Sequence, residues 1–404
     1  MSFTSIPILD LSRSRNPDTK PAFLAELRDA LIEVGFFYIK NVGIPDELFR
    51  RVIEQGRAFF DIPEEEKLKI EMKNAPSFLG YSRLSAEITA GAADHREQID
   101  LSTEHAEPVP DAPRYEHLLA PNQWPSAAVL PDFRPAFSEF LDRMGAMSLD
   151  FTALMAEAIG LPATAFDRYF DPDPARRQHK LKVVKYPDEA ELGVGNGDGS
   201  SQGVGPHKDS MYTTFLLQAS AHHGLQAQNT HGQWVDAPPI DGTLVVVIGQ
   251  GIEALTQGVC VSTTHRVVSP PAGAGARFSI PFFQGVRLDT AFEELERVGI
   301  GAVPEPVKDQ RRAVLAAAAA ANGGRLDDVE FTFRTGGAAK TLGEATLRNR
   351  VKSHPDVGER WFPDILADIR AEERQQQRKK GDGEAVRPGE TSSAVGAAVA
   401  VPAH

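Results

Sequence analysis

The stretch Gly205-Pro-His-Lys-Asp-Ser-Met-Tyr-Thr-Thr-Phe215, GPHKDSMYTTF, places a histidine and an aspartate two residues apart and then continues into strand-forming residues. Side chains at positions i and i+2 of a strand point to the same face, so His207 and Asp209 could bind one metal ion if this segment is extended. The pair alone is weak evidence, because a chain with 11 histidines contains about one His-x-Asp by chance. A second pair, His354-Pro-Asp356, is indeed present. The surrounding sequence must decide between them.

The second pair has an unfavourable context for a metal site. Proline at its centre is poorly suited to an interior strand because it has no backbone N–H. No Arg-x-Ser follows it, and SHPDVGERWFP (353–363) has the composition of a loop. We therefore predict that His354 and Asp356 are structural.

The first pair lies in the β-rich half of the chain. Short segments of strand-forming residues alternate with turn signals from about residue 180. They are KLKVVKYP, HKDSMYTTFLLQ, GLQAQN, GQWVDAP, TLVVVIG, STTHRVVS and RFSIPFFQ. This pattern predicts an all-β sandwich, jelly roll or barrel, with a hairpin around His231-Gly232. NGDGSSQGVG (196–205) predicts a flexible glycine-rich loop.

Helical patterns dominate the rest of the chain. Apolar residues from Phe23 to Val34 recur at helical spacing, a second helix follows Pro45, and a long helix is predicted over roughly 132–160. We expect these helices to pack outside the β-rich core. From residue 371 the chain becomes charged and then low in complexity, so we expect a disordered tail.

Composition restricts the possible functions. The 404 residues are 41% hydrophobic, which is enough for a substantial core. A formal net charge of −13 opposes nucleic-acid binding, and any anionic ligand would need specific cations to hold it. No apolar run approaches the roughly 18 residues of a membrane span, and no secretory signal is recognisable. The single cysteine, Cys260, excludes an internal disulfide, favours a cytoplasmic location and is expected to be buried and inert.

Three further residues complete a chemical constellation around the first pair. His265 follows in STTHRVV, and Arg277 and Ser279 open the next strand. Two histidines and one carboxylate form the facial triad of non-heme Fe(II) oxygenases, which leaves positions open for a chelating cosubstrate and O₂. An arginine fork and a serine hydroxyl on one strand face make a binding end for a carboxylate.

With these motifs in place, the chain from about residue 5 to 290 resembles the isopenicillin N synthase-like family of Fe(II)/2-oxoglutarate dioxygenases. The segments that carry the resemblance are IPILDLS, EVGFFYIKNVGIP, AFFDIPEEEK, PHKDSMYTTFLLQ, GLQAQ, GQWVDAPPIDGTLVVVIG, THRVVSP and RFSIPFF. The resemblance implies an α+β fold, with a double-stranded β-helix (jelly-roll) core and helices packed outside it, mainly from the N-terminal half. It also implies that His207, Asp209 and His265 are the iron ligands. We expect four regions: an N-terminal mixed region at 1–125, a core with its long helix at 126–290, a helical extension at 291–370 and the tail at 371–404.

The resemblance also suggests how a cosubstrate would be held. Arg277 and Ser279 would bind the distal carboxylate of 2-oxoglutarate, and Tyr186 matches a family tyrosine that also reaches it. The chain departs from the family in two places, with Val184 where an asparagine is usual and VVIGQ (246–250) where VNIGD is usual. We interpret these departures as those of a divergent subgroup.

The substrate pocket is expected to draw on residues 75–105, on Phe283, whose position lines the pocket in relatives, and on Met211 near Asp209. The predicted substrate is a small organic metabolite, which the enzyme would hydroxylate or desaturate with succinate and CO₂ as co-products. Secondary metabolism is a family-level expectation.

Two alternatives remain open at this point. A 2-oxoglutarate-independent iron oxidase of the isopenicillin N synthase type would carry the same triad and Arg-x-Ser. A small-molecule binding protein on the same fold would be non-catalytic, although an intact triad argues against it.

Overall fold

Two β-sheets form the centre of the fold. The computed structural model describes residues 2–89, 92–193, 201–210, 212–291, 303–322 and 339–384. The larger sheet has the strand order β1-β2-β12-β9-β14-β7-β6-β3, the smaller sheet has the order β11-β10-β13-β8, and β4 and β5 form a separate hairpin. The strands are β1 (Ile8–Asp10), β2 (Phe36–Lys40), β3 (Gly80–Ser82), β4 (Ile88–Thr89), β5 (Ala92–Ala93), β6 (Glu97–Ser102), β7 (Lys180–Tyr186), β8 (Gln202–His207), β9 (Thr213–Gln218), β10 (Leu225–Gln228), β11 (Trp234–Asp236), β12 (Thr243–Ile248), β13 (His265–Val268) and β14 (Arg277–Gln284).

The two sheets face each other, and alternation along each strand decides what each side chain contacts. On β7, Val184 and Tyr186 belong to the apolar cluster between the sheets, where Val204 and Val267 of the smaller sheet meet them. Neighbouring Val183 instead joins the cluster between the larger sheet and the helices. Apart from the parallel pair β1–β2, the strands in the two sheets pair antiparallel. This is the sheet-rich core with outer helices expected for a jelly roll.

Helices cover the outer face of the larger sheet. Side chains of α1, α2 and α4 form one buried cluster with that face, including Leu27, Val52 and Phe137. The C-terminal helices form another cluster with residues 72–78 and Leu118. The helices are α1 (Lys20–Asp29), α2 (Asp46–Asp61), α3 (Glu64–Lys69), α4 (Phe133–Ala158), α5 (Glu189–Leu192), α6 (Gln250–Leu255), α7 (Glu305–Asn322), α8 (Leu342–Ser353), α9 (Pro355–Trp361) and α10 (Pro363–Glu384).

A tight approach of two backbones follows α1. The helix continues as a short π-helix over Ala30–Val34 and ends at Gly35, which has φ of +66°. A Cβ atom at Gly35 would lie 2.0 Å from the carbonyl oxygen of Val261. Only glycine satisfies both conditions, so β2 can begin directly beside the loop that leads to His265.

Three local predictions were wrong. β8 already begins at Gln202, so the predicted loop at 196–205 includes strand residues; residues 194–200 lie outside the described residues. Pro355 opens α9, so most of 353–363 is helical rather than a loop, because proline suits the first turn of a helix. Helix α10 continues to Glu384, beyond the expected start of the tail at 371; residues 385–404 are outside the described part. The predicted hairpin around His231-Gly232 is confirmed as β10–β11.

Among the described residues, every helix is too short or too polar to cross a bilayer.

Candidate active site

The three predicted metal ligands converge at one end of the smaller sheet. His207 is the last residue of β8 and His265 the first residue of β13, and the two are directly paired in register. Asp209 lies in the turn after β8, so the His-x-Asp pair ends a strand rather than opening one. Its Oδ1 is 3.6 Å from Nε2 of His207 and 3.7 Å from Nε2 of His265. One ligand atom from each residue lies within 4.8 Å of the others, which is the spacing a shared metal ion requires.

Hydrogen bonds fix which atoms face the common centre. Nδ1 of His207 lies 2.8 Å from the carbonyl oxygen of Gly205, and Nδ1 of His265 lies 3.0 Å from that of Thr263. A carbonyl can only accept, so each Nδ1 carries the proton and each Nε2 keeps a lone pair for a metal. The hydroxyl of Thr214 donates to Oδ2 of Asp209 at 2.5 Å, which leaves Oδ1 to face the two Nε2 atoms. The donor set therefore fits Fe(II).

Electrostatics keeps these groups in metal-binding forms. Burial raises the pKa of Asp209, but His265, His207 and the Thr214 hydrogen bond lower it further, so the net shift is downward. Burial lowers the pKa of His265 to about 4, with His207 adding to the effect. A carboxylate and a neutral imidazole are the protonation states that bind a cation.

A buried guanidinium lies further along the larger sheet. Arg277 of β14 is 0% exposed and pairs in register with Tyr186 of β7. Within the described residues its polar partners are Tyr186 and Gln218, whose Oε1 accepts from Nη2 at 3.2 Å. In that same part of the chain, Nε and Nη1 of Arg277 and the hydroxyl of the fully buried Ser279 have no hydrogen-bond partner.

These orphaned donors indicate an anion-binding site. A buried cation without a counter-ion is costly, and burial lowers the pKa of Arg277 accordingly. Arg277 and Ser279 are i and i+2 on β14, so both point between the sheets. A carboxylate would accept from the guanidinium fork and the hydroxyl together, so the residues fit 2-oxoglutarate.

The two predicted pocket residues have different outcomes. Phe283 shares the face of Arg277 and Ser279 on β14, is part-buried, and pairs in register with Thr214, the residue that holds Asp209. Met211 lies outside the described residues.

Sequence reasoning missed two supporting residues, Thr214 and Gln218. Both lie on β9, four residues apart and therefore on one face, with Thr214 at the metal end and Gln218 at the guanidinium end. The signal was present as a polar residue at each end of an otherwise apolar face in TTFLLQ.

Comparisons with known proteins agree with this geometry. Residues 6–127 match the family described as non-haem dioxygenase in morphine synthesis N-terminal, and residues 173–286 match the 2OG-Fe(II) oxygenase superfamily. The chain is 62% identical over 378 residues to the 2-oxoglutarate-dependent dioxygenase frbJ of Dothideomycetidae sp. (strain 11243), covering 93% of this chain and 97% of the relative. It is 32% identical over 303 residues to homoarginine-6-hydroxylase 2-ODD-C23 of Glycine max, covering 73% and 89%. The crystal structure of a full-length Neurospora crassa protein in complex with alpha-KG superposes with a TM-score of 0.57 at 27% identity, covering 71% of this chain and 86% of that one.

Proposed function

The chain belongs to the 2OG-Fe(II) oxygenase superfamily and is an Fe(II)- and 2-oxoglutarate-dependent dioxygenase, and we propose that its His207, Asp209 and His265 hold the iron. Arg277, Ser279 and Tyr186 bind the distal carboxylate of 2-oxoglutarate. The 62% identity to a 2-oxoglutarate-dependent dioxygenase weighs against both a cosubstrate-independent oxidase and a non-catalytic binding protein.

The observation that carries this assignment is the unpaired donor set of Arg277 and Ser279. Three buried donor atoms, Nε, Nη1 and Oγ, have no partner among the described residues and face the space between the sheets. One carboxylate would satisfy all three.

The chain's own residues bind and orient the reactants. Bound iron supplies O₂ activation coupled to oxidation of 2-oxoglutarate to succinate and CO₂. Backbone carbonyls of Gly205 and Thr263 hold the two imidazole rings, and Thr214 holds the carboxylate. Phe36 lies against His265, with ring centroids 5.8 Å apart, and excludes water from that side of the centre.

The substrate is a small organic molecule that is hydroxylated or desaturated. A related chain is named a homoarginine hydroxylase, so small metabolites are within reach of this fold. Phe283, opposite Thr214, lines the substrate side of the centre.

An anaerobic titration tests the cosubstrate assignment. Adding 2-oxoglutarate to the Fe(II) protein should produce the weak visible charge-transfer band of the chelated metal. Arg277→Gln should require about 100-fold more 2-oxoglutarate, because it removes charged hydrogen bonds to a carboxylate worth about 1.5–3 kcal/mol each.

Arg57→Gln is the matched control. Arg57 stacks on Phe278, the β14 neighbour of Arg277 that faces the helices, with its guanidinium carbon 5.4 Å from the ring centroid. This variant should bind 2-oxoglutarate as the wild type does. Wild-type affinity in Arg277→Gln, or no band in the wild-type protein, would contradict the proposal.

A further inference from the structure

A buried ionic network lies on the interior face of β6 and β7. Asp100 of β6 pairs in register with Lys182 of β7, and Gln98 pairs with Val184. Asp100, Lys182 and Gln98 are 2%, 7% and 1% exposed. Tyr186 follows Lys182 by four residues on the same face, so the network is continuous with the wall that carries the proposed cosubstrate anchor.

The segment around the β4–β5 hairpin adds one side of the network. Arg96 bonds Glu87 at 2.7 Å and Asp94 at 3.0 Å. Oδ1 of Asp94 also accepts from the backbone N–H of Gly205 at 3.3 Å, two residues before the metal ligand His207. The network therefore reaches from β6 to the strand that carries the iron site.

The C-terminal helices add the opposite side. Nη1 of Arg350, from α8, lies 3.4 Å from Oδ1 of Asp100. Nε2 of His354, between α8 and α9, lies 3.9 Å from Oε1 of Glu87, and His354 is 1% exposed. Both residues lie beyond residue 286, where the match to the oxygenase superfamily ends. They are therefore additions to the part of the chain that carries the iron and cosubstrate residues.

The network is balanced in charge but incompletely bonded. Its three carboxylates and three cations are Glu87, Asp94, Asp100, Arg96, Lys182 and Arg350. The two cations that approach Asp100 Oδ1 remain at 3.4 and 3.6 Å, beyond the usual length of a charged hydrogen bond. Lys182 also bonds Oε2 of Glu87 at 3.2 Å, and Oδ2 of Asp100 accepts from Nε2 of Gln98 at 2.9 Å, so Oδ1 of Asp100 is the weakly bonded atom of the pair. Buried Oε1 of Gln98 and Nε2 of His354 have no hydrogen-bond partner among the described residues. Such spacing and such orphaned atoms leave polar groups for a ligand to bind.

We propose that this network is the substrate-recognition face, that its ligand is a zwitterion of the amino-acid type, and that Arg350 determines specificity. The inference rests on the proposed function, because it takes the space between the network and the iron site as the place where substrate is oxidised. An ammonium group of the ligand pairs with Asp100, and its carboxylate pairs with Arg350 and Lys182. A ligand with both signs preserves the charge balance, whereas an uncharged one would leave the buried ions to be desolvated without new partners.

Calorimetric titration of the anaerobic Fe(II)·2-oxoglutarate protein with L-arginine, L-lysine, L-glutamate and uncharged thymine tests this inference. At least one amino acid should bind and thymine should not. Arg350→Gln and Asp100→Asn should each weaken that binding by about tenfold or more, through loss of a buried charged contact. Their charge-transfer bands should form at the wild-type concentration of 2-oxoglutarate, because the polar partners of the cosubstrate anchor are other residues.

Arg348→Gln is the matched control on the same helix. Its guanidinium pairs with Glu372 of α10 at 2.5 Å, whereas that of Arg350 approaches Asp100 of β6. This variant should bind both ligands normally. Asp100→Asn keeps the shape of the side chain, so it decides the question if Arg350→Gln does not fold.

The outcomes separate the inference from the function on which it rests. A normal band with no amino acid bound, or with thymine bound instead, would overturn the recognition face and leave the dioxygenase assignment of residues intact. Equal amino-acid binding by wild type and folded variants would also overturn it. Absence of the band in the wild-type protein would overturn the proposed ligand assignment, and the recognition face with it.

Discussion

The guanidinium carbon of Arg277 lies 5.1 Å from the centroid of the Tyr186 ring, and the two residues are directly opposed on β14 and β7. The aromatic face partly compensates the cost of burying a cation that has no carboxylate partner among the described residues. Nη2 of Arg277 donates to Gln218, and Nε and Nη1 keep no partner among the described residues. The proposed carboxylate anchor is thus in place before its ligand binds.

The Thr214 hydrogen bond to Asp209 predicts an effect on iron binding. Thr214→Val keeps the side-chain shape but removes the donor to Oδ2. Fe(II) affinity, measured by anaerobic competition with a chelator, should fall by about 10–100-fold, the usual effect of losing an outer-shell partner. Thr213→Val is the control, because Thr213 is equally buried and its hydroxyl has no partner in the described part of the chain. Equal losses in the two variants would show that the bond to Asp209 is not the cause.

Alanine substitutions at two helix-end glycines should distinguish the energetic cost of backbone strain from the cost of a steric collision. Gly35 and Gly193 both have φ of +66°, but a Cβ at Gly193 would meet no atom of the described residues within 4 Å. Gly193→Ala should cost about 1 kcal/mol of unfolding free energy from the left-handed conformation alone. Gly35→Ala should cost more than about 3 kcal/mol, because its Cβ would also collide with the Val261 carbonyl. Urea unfolding measures both, and similar costs would contradict the close approach.

Lys180 predicts a pH dependence of stability. Burial, with Arg350 adding to it, lowers its pKa from 10.5 to about 7. The folded residue is therefore deprotonated where the unfolded one is still charged, so unfolding takes up a proton between these values. The contribution of Lys180 to the free energy of unfolding thus rises with pH across this window, by up to about 1.4 kcal/mol per unit.

Removing the amine should abolish that contribution. The difference in unfolding free energy between Lys180→Met and wild type should shift in favour of wild type as pH rises from about 7 to about 9. Lys185→Met, on the other face of β7, is the control for loss of a lysine. Parallel curves for wild type and Lys180→Met would refute the lowered pKa.

Chemical labelling of the Cys260 thiol should report the unfolding of the protein. This thiol is fully buried, and burial raises its pKa to about 12, so the native thiol is neither accessible nor ionised at pH 8. A thiol reagent should therefore label the native protein at the rate of global unfolding and the urea-unfolded protein at once. Cys260→Ala should remain unlabelled, and rapid labelling of native wild type would show that the thiol is accessible.

The parts of the candidate site whose residues lie close together along the chain could be predicted from local sequence. His265, Arg277 and Ser279 follow each other within 15 residues, and alternation alone places Arg277 and Ser279 on one face. The pairing of His265 with His207 depends on the sheet order, which the family resemblance supplied and spacing did not.

The contribution of the C-terminal helices to the proposed recognition face could not be predicted from the sequence, for a physical reason. Nothing near Arg350 resembles a motif, and Arg350 and His354 each meet a carboxylate only through packing of α8 and α9 on residues 72–78. The composition of 353–363 predicts a loop, but Pro355 occupies the first turn of α9, a position that proline suits as well as it suits a loop. A contact between residues 250 positions apart, such as Arg350 and Asp100, produces no periodic pattern in a single sequence.

The late position of Arg350 has a consequence for synthesis. The last of the proposed iron ligands is residue 265 and the last of the proposed cosubstrate anchors is residue 279, but Arg350 emerges from the ribosome 71 residues later (350 − 279). A chain released in that interval would carry every residue assigned to iron and 2-oxoglutarate while the polar face of β6 and β7 stood open to water. The substrate specificity that we assign to Arg350 is thus completed later in synthesis than the residues assigned to iron and 2-oxoglutarate.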